Sequence, residues 1–518
     1  MRPLFRPSEM QEADRLTIEA GTPGRVLMER AGRAVARMVV EEAGGRYGVR
    51  VLVVCGKGNN GGDGFVTARV LDAWGMGVTC ITTFDASEAR GDALHHLELL
   101  RRAGLKPWPW HPSIDTDRFD VVVDAVFGTG FSGVAEGVAA EAIHAISGHR
   151  CVIAVDIPSG VDGETGAVRG AAVRATATVA LGAEKTGTAL PPGSVLAGRV
   201  TVADIGIDTS VRKFERSGHG IVVGSFVEMT KVGDVAASLP ERSPLAHKRT
   251  SGSVAVLAGS DAYPGAAVLT ALGAMRAGAG YVTLGSTPTT IRTALSHAPE
   301  LLTVAVADGE ALGPDSVGAF AQVIDKAQVV AVGPGLGTGE GQRDLLERLL
   351  ALDKPLVIDA DGLNVLAEDP SPLAKRSVPA VITPHPAELG RLLGVSTEEV
   401  MGDRLGAALK ASGRFPSSVV IAKGHRSVVA YRAGQVAVVI PVGGPELATA
   451  GTGDVLTGVV AALIAQQRPA VGAAIAAAYI HGVAGSVAGQ RVGHGGVVAT
   501  DVADAVPEAV SLIRAAPR

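Results

Sequence analysis

Short runs of Val, Ile and Ala alternate along this chain with longer segments in which Ala and Leu are interspersed with Arg and Glu. Continuous apolar runs of that length suit strands buried on both faces, and the mixed segments suit helices that cover them, so the pattern predicts an α/β fold built on parallel sheets. In the first half it predicts strands at Val51–Cys55, Val78–Thr82, Val121–Ala125, Val152–Val155, Thr176–Leu181 and Val200–Ala203. In the second half it predicts strands at Ser253–Ala258, Tyr281–Gly285, Val329–Val332, Pro355–Ile358, Ala380–Thr383 and Ser418–Ala422. Between the two series lies Asp208–Thr250, a stretch of mixed charge and weak periodicity that contains Pro240 and Pro244, and the domain boundary is expected there. We expect one domain over 1–215 and a second over 225–518.

Length agrees with that division. The chain has 518 residues, more than one hydrophobic core usually organises, at about 150 residues per domain. Apolar residues make up 47% and charged residues 19%, which excludes a disordered or fibrous chain. The 68 glycines have no three-residue period and cluster at the ends of apolar runs, where tight turns and close backbone approach to a ligand need them. A net charge of -5 without a block of consecutive Lys or Arg gives no footprint for nucleic acid. Cys55, Cys80 and Cys151 are too few and scattered for a disulfide framework or a zinc site, so a reducing cytoplasm is the expected home. The N-terminal MRPLFRPSEMQEADR lacks an apolar signal core, and the Ala-rich C-terminal stretches are interrupted by Gln466, Gln467, Arg468 and His481, so no membrane span is expected.

The first candidate site begins at VLVVCGKGNNGGDGF, a strand from Val51 that runs into a loop holding Gly56, Gly58, Gly61, Gly62 and Gly64 before a helix-like stretch. Such a loop lets backbone N–H groups approach phosphate beside the positive end of a helix. The closing Gly-Lys-Ser/Thr of a Walker A loop is missing, and Asn59, Asn60 and Asp63 blur a dinucleotide fingerprint. Two later strand ends add to it: VVVDAVFGTGFSG carries Asp124 and Gly128–Gly130, and VIAVDIPSGVDGETG carries Asp156 and Ser159. Parallel sheets bind ligands beyond the carboxyl ends of their strands, so Asn60, Asp124, Asp156 and Ser159 can converge, with hard oxygen donors suited to an alkali or alkaline-earth cation. Asp124 and Asp156 can equally be residues that cap turns or helices.

The ordered set LMERAG (Leu27–Gly32), GNNGGDG (Gly58–Gly64), DAVFGTG (Asp124–Gly130) and DIPSGVDGETG (Asp156–Gly166) resembles the NAD(P)H-hydrate epimerase domain over about the first 210 residues. The resemblance implies a Rossmann-like three-layer domain and potassium ligation by Asn60, Asp124 and Ser159. It also implies hydrate contacts at Asn59, Asn60, Gly61, Gly62 and Asp63, at Gly128, Thr129, Gly130, Phe131, Ser132, Gly133 and Val134, and at Asp156. Asp156 is the first acid/base candidate for interconverting hydrate epimers, and Asp63 is the competing choice.

The second candidate site is ELATAGTGDVLTGVVAALIA, where Gly451, Thr452, Gly453 and Asp454 precede an apolar helical segment. Backbone donors at a helix start stabilise a transferring phosphoryl group, and Asp454 can take the proton of an attacking hydroxyl. A Gly-rich helix start is often only a cap, but Gly-Thr-Gly-Asp near the end of a Gly-rich α/β domain is similar to the ribokinase-like superfamily. VLAGSDAYPGAAVLTALGAMRAGAGYVTL, VGPGLG, VIDADGLNVL, ITPHPAEL and AKG follow the order seen in NAD(P)H-hydrate dehydratases, over nearly all of Pro244–Arg518. This resemblance implies a ribokinase-like α/β domain, hydrate contacts at Ala266, Gly335, His385 and Asp454, and adenine-nucleotide contacts at Lys423, Gly424, His425, Arg426, Ser427, Gly451, Thr452 and Gly453. It further implies ADP as co-substrate with Mg2+. His385, Asp359 and Asp361 would otherwise read as structural residues. The chain departs from the family pattern at HKRTSG (His247–Gly252) and at TPHPAE.

The chemistry so implied is repair of hydrated NADH and NADPH: epimerisation of the R and S hydrates in the first half and ADP-dependent dehydration of the S hydrate in the second, releasing AMP and phosphate. The expected partners are the hydrates and ADP, without nucleic acid or membrane, and a homo-oligomer is the expected assembly. The competing reading is a ribokinase-like small-molecule kinase fused to a non-catalytic nucleotide-binding module.

Overall fold

The computed structural model describes residues 1–210, 212–213, 221–222, 225–241 and 251–516. Pro244 and His247–Thr250 of the HKRTSG segment lie outside the described residues. The chain divides into two compact units, Pro3–Val227 and Glu228–Arg518, and Met1–Arg2 group with the second.

In the N-terminal unit seven parallel strands form one sheet: β1 (Arg50–Cys55), β2 (Gly77–Thr82), β3 (Trp108–Pro109), β4 (Val121–Ala125), β5 (Val152–Val155), β6 (Ala177–Leu181) and β7 (Arg199–Ala203). Their order is β3-β2-β1-β4-β5-β6-β7. This is a doubly wound order, whose direction reverses between β1 and β4, and a crevice opens at such a switch point beyond the strands' carboxyl ends. Every residue of β4 and β5 is buried, which is why those segments read as unbroken apolar runs. Helices α1 (Gly24–Glu42) and α2 (Asn59–Ala73) pack together beside β1.

The loop after β1 is shorter than its five glycines suggest. Helix α2 begins at Asn59, so Gly61, Gly62 and Gly64 are helical. Their role is closeness rather than turning: a Cβ at Gly61 would stand 1.8 Å from the Gly56 carbonyl oxygen, and one at Gly64 would stand 2.6 Å from Cys55 Sγ on β1. The first turn of α2 therefore lies directly on the strand, which aims its free amides over the switch point.

In the C-terminal unit nine strands lie wholly within Glu228–Arg518: β8 (Ser253–Leu257), β9 (Tyr281–Ser286), β10 (Leu302–Ala305), β11 (Val329–Val332), β12 (Leu356–Ile358), β13 (Ala380–Ile382), β14 (Ser418–Ala422), β15 (Val428–Tyr431) and β16 (Val436–Val439). They stand in the order β16-β15-β14-β13-β12-β11-β8-β9-β10. The strands from β14 to β10 are parallel. At the other edge β14, β15 and β16 pair antiparallel. Neither β15 nor β16 is among the expected strands, because the turn joining them uses Arg432, Ala433 and Gly434 at positive φ, without the Asn-Gly signature of a hairpin. Edge strand β10 alternates little and is half-exposed.

Helix α3 (Pro264–Arg276) packs on α6 (Thr452–Ala465), and α7 (Ala470–Val492) packs on α8 (Ala499–Ala515). Gln466–Arg468 occupy the turn after α6, while His481 sits buried inside an uninterrupted α7. That helix is long and apolar enough to cross a membrane by length and composition, but 72% of its most apolar window is buried within the protein. Its Ala-rich face lies in the same core as α3, α6 and the strands.

Candidate active sites

The N-terminal switch point opens into a cleft of about 610 Å³. Gly58, Asn59 and Asn60 reach it from the start of α2, and Phe127–Ser132 reach it from the loop after β4. Asp63 and Asp156 complete the predicted lining. Phe127 and Phe131 stack with ring centroids 4.6 Å apart and give the cleft an apolar wall. Four of the expected contact residues are not part of the lining. Gly61 and Gly62 lie behind the helix turn, and Val134, with Gly133 before it, stands off the cleft and is half-exposed.

Asn60 and Ser159 meet at the main chain of Phe127, and Asp124 joins them through Ser159. Asn60 Nδ2 donates to the Phe127 carbonyl at 2.9 Å, and the Phe127 amide donates to Ser159 Oγ at 2.8 Å. The Ser159 hydroxyl and amide donate to the two oxygens of Asp124 at 2.5 and 2.8 Å. Asp124 is fully buried, and burial raises its pKa to about 6 against the opposing hydrogen bonds from Ser159 and Val126. Among the described residues no cation contributes to that balance. A buried carboxylate with no counter-ion among the described residues, beside amide, hydroxyl and carbonyl oxygens, is a donor set that fits a hard monovalent cation.

Asp156 follows β5 with φ of 66°, a left-handed conformation that a non-glycine residue holds at some cost. Its Oδ1 accepts the Leu181 amide at 3.0 Å and the Lys185 ammonium. Lys185 is buried, lines the cleft and also donates to the Leu181 carbonyl at 2.8 Å. Sequence reasoning misses it, as it misses the cleft acids Asp14 and Asp92. The only sequence signal for Lys185 is a lone cation a few residues past the apolar end of β6. Asp63 is pushed well above the usual carboxyl range by burial, then by Asp156 and Asp14, with Lys185 opposing.

In the C-terminal unit the predicted residues gather at the carboxyl ends of β8, β11, β12, β13 and β14, with Asp359 at their centre. Asp359 Oδ1 accepts Lys423 Nζ at 2.7 Å, and Oδ2 accepts the Thr457 hydroxyl of α6 at 2.8 Å. Two residues on, Asp361 starts α4 (Asp361–Glu368) and accepts the Gly337 amide at 2.9 Å, tying VGPGLG to this loop. Gly335 has φ of 63°, and a Cβ there would stand 2.9 Å from that of Ala266, so these two expected hydrate contacts are neighbours.

The Gly-Thr-Gly-Asp motif is itself the start of α6. Gly451 is its left-handed N-cap, and Thr452, Gly453 and Asp454 form its first turn instead of preceding it, because Asp454 is already hydrogen-bonded helix. Gly453 is packed closely: a Cβ there would stand 3.2 Å from Lys423 Nζ. Burial and then Asp359 raise the Asp454 pKa to about 7, while Lys423 opposes them. Burial by itself would lower the Lys423 ammonium, but Asp359 and Glu388 outweigh it and its pKa is raised.

His385 is the N-cap of α5 (Pro386–Leu393). Its Nδ1 accepts the Ala387 and Glu388 amides at 3.1 and 3.4 Å, and its Nε2 lies 3.2 Å from Glu388 Oε1. This bonding assigns a neutral ring protonated at Nε2, in keeping with a pKa lowered by burial and then by Lys423. Glu388, buried and raised to about 7 mainly by that burial, is a site residue the sequence did not mark.

The expected nucleotide segment Lys423–Ser427 links β14 to β15. Arg404 holds it from behind, donating to the His425 and Arg426 carbonyls at 2.5 and 2.8 Å. His481 does the same for the turn that starts α6. Its Nε2 lies 2.8 Å from the Thr452 carbonyl, and burial lowers its pKa to about 4, so a neutral ring donates there. Among the described residues no group of three His, Cys, Asp or Glu side chains is arranged to hold a metal ion.

Comparison with known proteins adds to this geometry. A family model described as NAD(P)H-hydrate dehydratase matches residues 254–508, and one described as YjeF-related protein N-terminus matches residues 24–187. A bifunctional NAD(P)H-hydrate repair enzyme of Moorella thermoacetica is 37% identical over 519 residues, covering 97% of this chain and 96% of that protein. Its counterpart in Escherichia coli is 33% identical over 462 residues, covering 87% and 83%. An ADP/ATP-dependent NAD(P)H-hydrate dehydratase of Bacillus subtilis, crystallised with ATP and Mg2+, is 29% identical with a TM-score of 0.47, covering 55% of this chain and 99% of that one.

Proposed function

The chain belongs to the family of bifunctional NAD(P)H-hydrate repair enzymes, and from that premise we propose that residues 1–215 interconvert the hydrate epimers while residues 225–518 dehydrate one of them with ADP. The observation that carries the second half is the position of Asp454: a carboxyl held near neutrality in the first turn of α6, beside free helix amides and the Lys423–Asp359 pair.

Hydroxide is a poor leaving group, so direct loss of water from the hydrate is slow. Asp454 takes the proton of the ring hydroxyl as its oxygen attacks the terminal phosphorus of ADP, and the amides of Gly451–Gly453 receive the charge that develops on the phosphoryl oxygens. Phosphate then leaves with the C–O electron pair, the neighbouring carbon loses a proton, and the ring double bond returns. AMP and phosphate are the other products. Mg2+ would be carried by the nucleotide's phosphates, since the described residues offer no ligand cage, and would neutralise their charge. His385, Ala266 and Gly335 bind the hydrated ring, and the segment Lys423–Ser427 binds the nucleotide.

In the N-terminal cleft, Asn60, Asp124 and Ser159 would hold potassium, which supplies a fixed positive charge behind the substrate's phosphates. Asp156 is the principal acid/base group. Because a dehydratase pocket shaped for one epimer leaves the other stranded, the first activity makes both recoverable by the second. The cytoplasm, where the reduced nicotinamides are used, is the proposed location.

The test is to supply the purified chain with mixed hydrate epimers and either ADP or ATP under matched magnesium, and to follow recovery of reduced-nicotinamide absorbance. Recovery of both epimers, faster with ADP, is expected. Equal or faster recovery with ATP would reject the choice of ADP, and accumulation of a stable phosphorylated product would identify a kinase instead.

A further inference from the structure

Two carboxyl groups face the N-terminal cleft with opposite wiring. Asp156 Oδ1 is engaged by Leu181 and Lys185, and Oδ2 has no protein donor among the described residues. The Asp63 carboxyl makes no hydrogen bond to any described residue, although it is buried on the first turns of α2 and lines the same cleft. One is an ion-paired carboxylate with a free oxygen. The other is a buried carboxyl with no hydrogen-bond partner among the described residues.

Water added across the ring double bond next to nitrogen leaves a hydroxyl and the ring nitrogen on one carbon, a carbinolamine. Inverting that carbon requires one of its bonds to break and re-form, with a proton removed at one atom and delivered at another. We propose that Asp156 and Asp63 act as a base and acid pair that opens and recloses this carbinolamine, with Lys185 as the positioning residue that holds Asp156 by Oδ1 and turns Oδ2 to the substrate. The proposal rests on the assignment of epimerisation to this cleft.

Asp156 Oδ2 takes the hydroxyl proton, a carbonyl forms as the C–N bond breaks, and the ring nitrogen keeps that bond's electrons and receives a proton from Asp63. Rotation about the adjacent C–C bond presents the other carbonyl face. The nitrogen then attacks that face and returns its proton to Asp63, while the forming alkoxide takes back the proton held by Asp156. No atom is gained or lost and nothing is oxidised. The environment suits the division: burial and then the Asp156 and Asp14 charges push the Asp63 carboxyl well above the usual range, which favours its proton-bearing form, while Asp156 is paired with the Lys185 ammonium through Oδ1.

The experiment uses the full chain with mixed NADH-hydrate epimers and no ADP, following the epimer ratio by chromatography. Wild type must interconvert them faster than they interconvert spontaneously; failure here sinks the assignment of the cleft before the pair is tested. Given that activity, Asp63→Asn is expected to slow interconversion by about 10²–10⁴ and to remove the alkaline limb of its pH profile, with ADP-dependent dehydration and the melting curve unchanged. Lys185→Met is expected to lower kcat more than it raises KM and to move the acid limb to higher pH, with Lys185→Arg restoring much of the rate. In water enriched in heavy oxygen the substrate hydroxyl should keep its own oxygen through inversion. An Asp63→Asn chain with the wild-type rate and profile, or complete oxygen exchange at each inversion, overturns the proposal whether or not Lys185→Met folds.

Discussion

Lys423 Nζ donates to Asp359 Oδ1 at 2.7 Å, and this ion pair ties the end of β14 to the loop after β12 directly beside Asp454. The two charges act on Asp454 in opposite senses, Asp359 raising its pKa and Lys423 lowering it, with a result of about 7. A base works only when ionised, so the kcat of dehydration should climb as pH rises through about 7 and then level off. Lys423→Met removes the opposing charge and should displace that limb to higher pH. A kcat–pH profile of the two chains checks it, and a limb that stays in place would detach Lys423 from the proton transfer.

The two halves should separate by mutation. Asp454→Asn preserves size but removes the base, so dehydration of either epimer should fall by about 10²–10⁴ while epimer exchange persists. Asp156→Asn should leave dehydration of the preferred epimer intact and slow rescue of the other to its spontaneous rate. Melting curves and circular dichroism near wild type would separate these losses from misfolding. Full dehydratase activity in a folded Asp454→Asn chain would disprove its assignment.

Potassium should stabilise the chain only where Asp124 is ionised. A carboxyl whose folded pKa is raised from 3.8 to about 6 contributes stability that is complete below the lower value and is lost as pH rises through the upper one. A cation bound to the ionised form restores that loss. Replacing an organic cation by potassium at equal ionic strength should therefore raise Tm above about pH 6 and have little effect well below it. Ser159→Ala should abolish the potassium response. A response independent of pH would place the ion elsewhere.

His481 should matter to stability and turnover together. With His481→Phe the Thr452 carbonyl loses its buried donor, a cost of about 1–3 kcal/mol, and the turn that carries Asp454 loses its support. The folded pKa of His481 is depressed from 6.5 to about 4, so its contribution is complete above the first value and is lost as pH falls through the second. Melting followed from neutral to acid pH should accordingly show a shallower loss in His481→Phe than in wild type. An identical slope would exclude this histidine as a source of acid sensitivity.

The strands at Val329–Val332 and Ser418–Ala422 were legible to the residue, because fully buried parallel strands are uninterrupted apolar runs with turn residues at either end. The motifs brought Asn60, Asp124 and Ser159, and separately His385, Lys423 and Asp454, into view as candidates. Lys185, Glu388 and His481 escaped because each acts through a partner distant in sequence: Lys185 through Asp156, Glu388 through Lys423, and His481 through a main-chain carbonyl. A lone polar residue in an apolar segment carries no mark of such a partner. The glycines of the first site misled for a different reason. Gly61 and Gly64 are needed for helix-to-strand contact, and a sequence pattern cannot tell that need from a turn.

The burial of α7 has a consequence for how the protein is made. The core of the C-terminal unit is filled by α6, α7 and α8 against strands that begin at β8, so its earliest strands wait for segments far later in the chain to emerge from the ribosome. Until then the exposed apolar faces, and α7 above all, are candidates for capture by chaperones or by hydrophobic surfaces. The N-terminal unit has its own core and strands complete before that point, so during synthesis its fold need not wait for those helices.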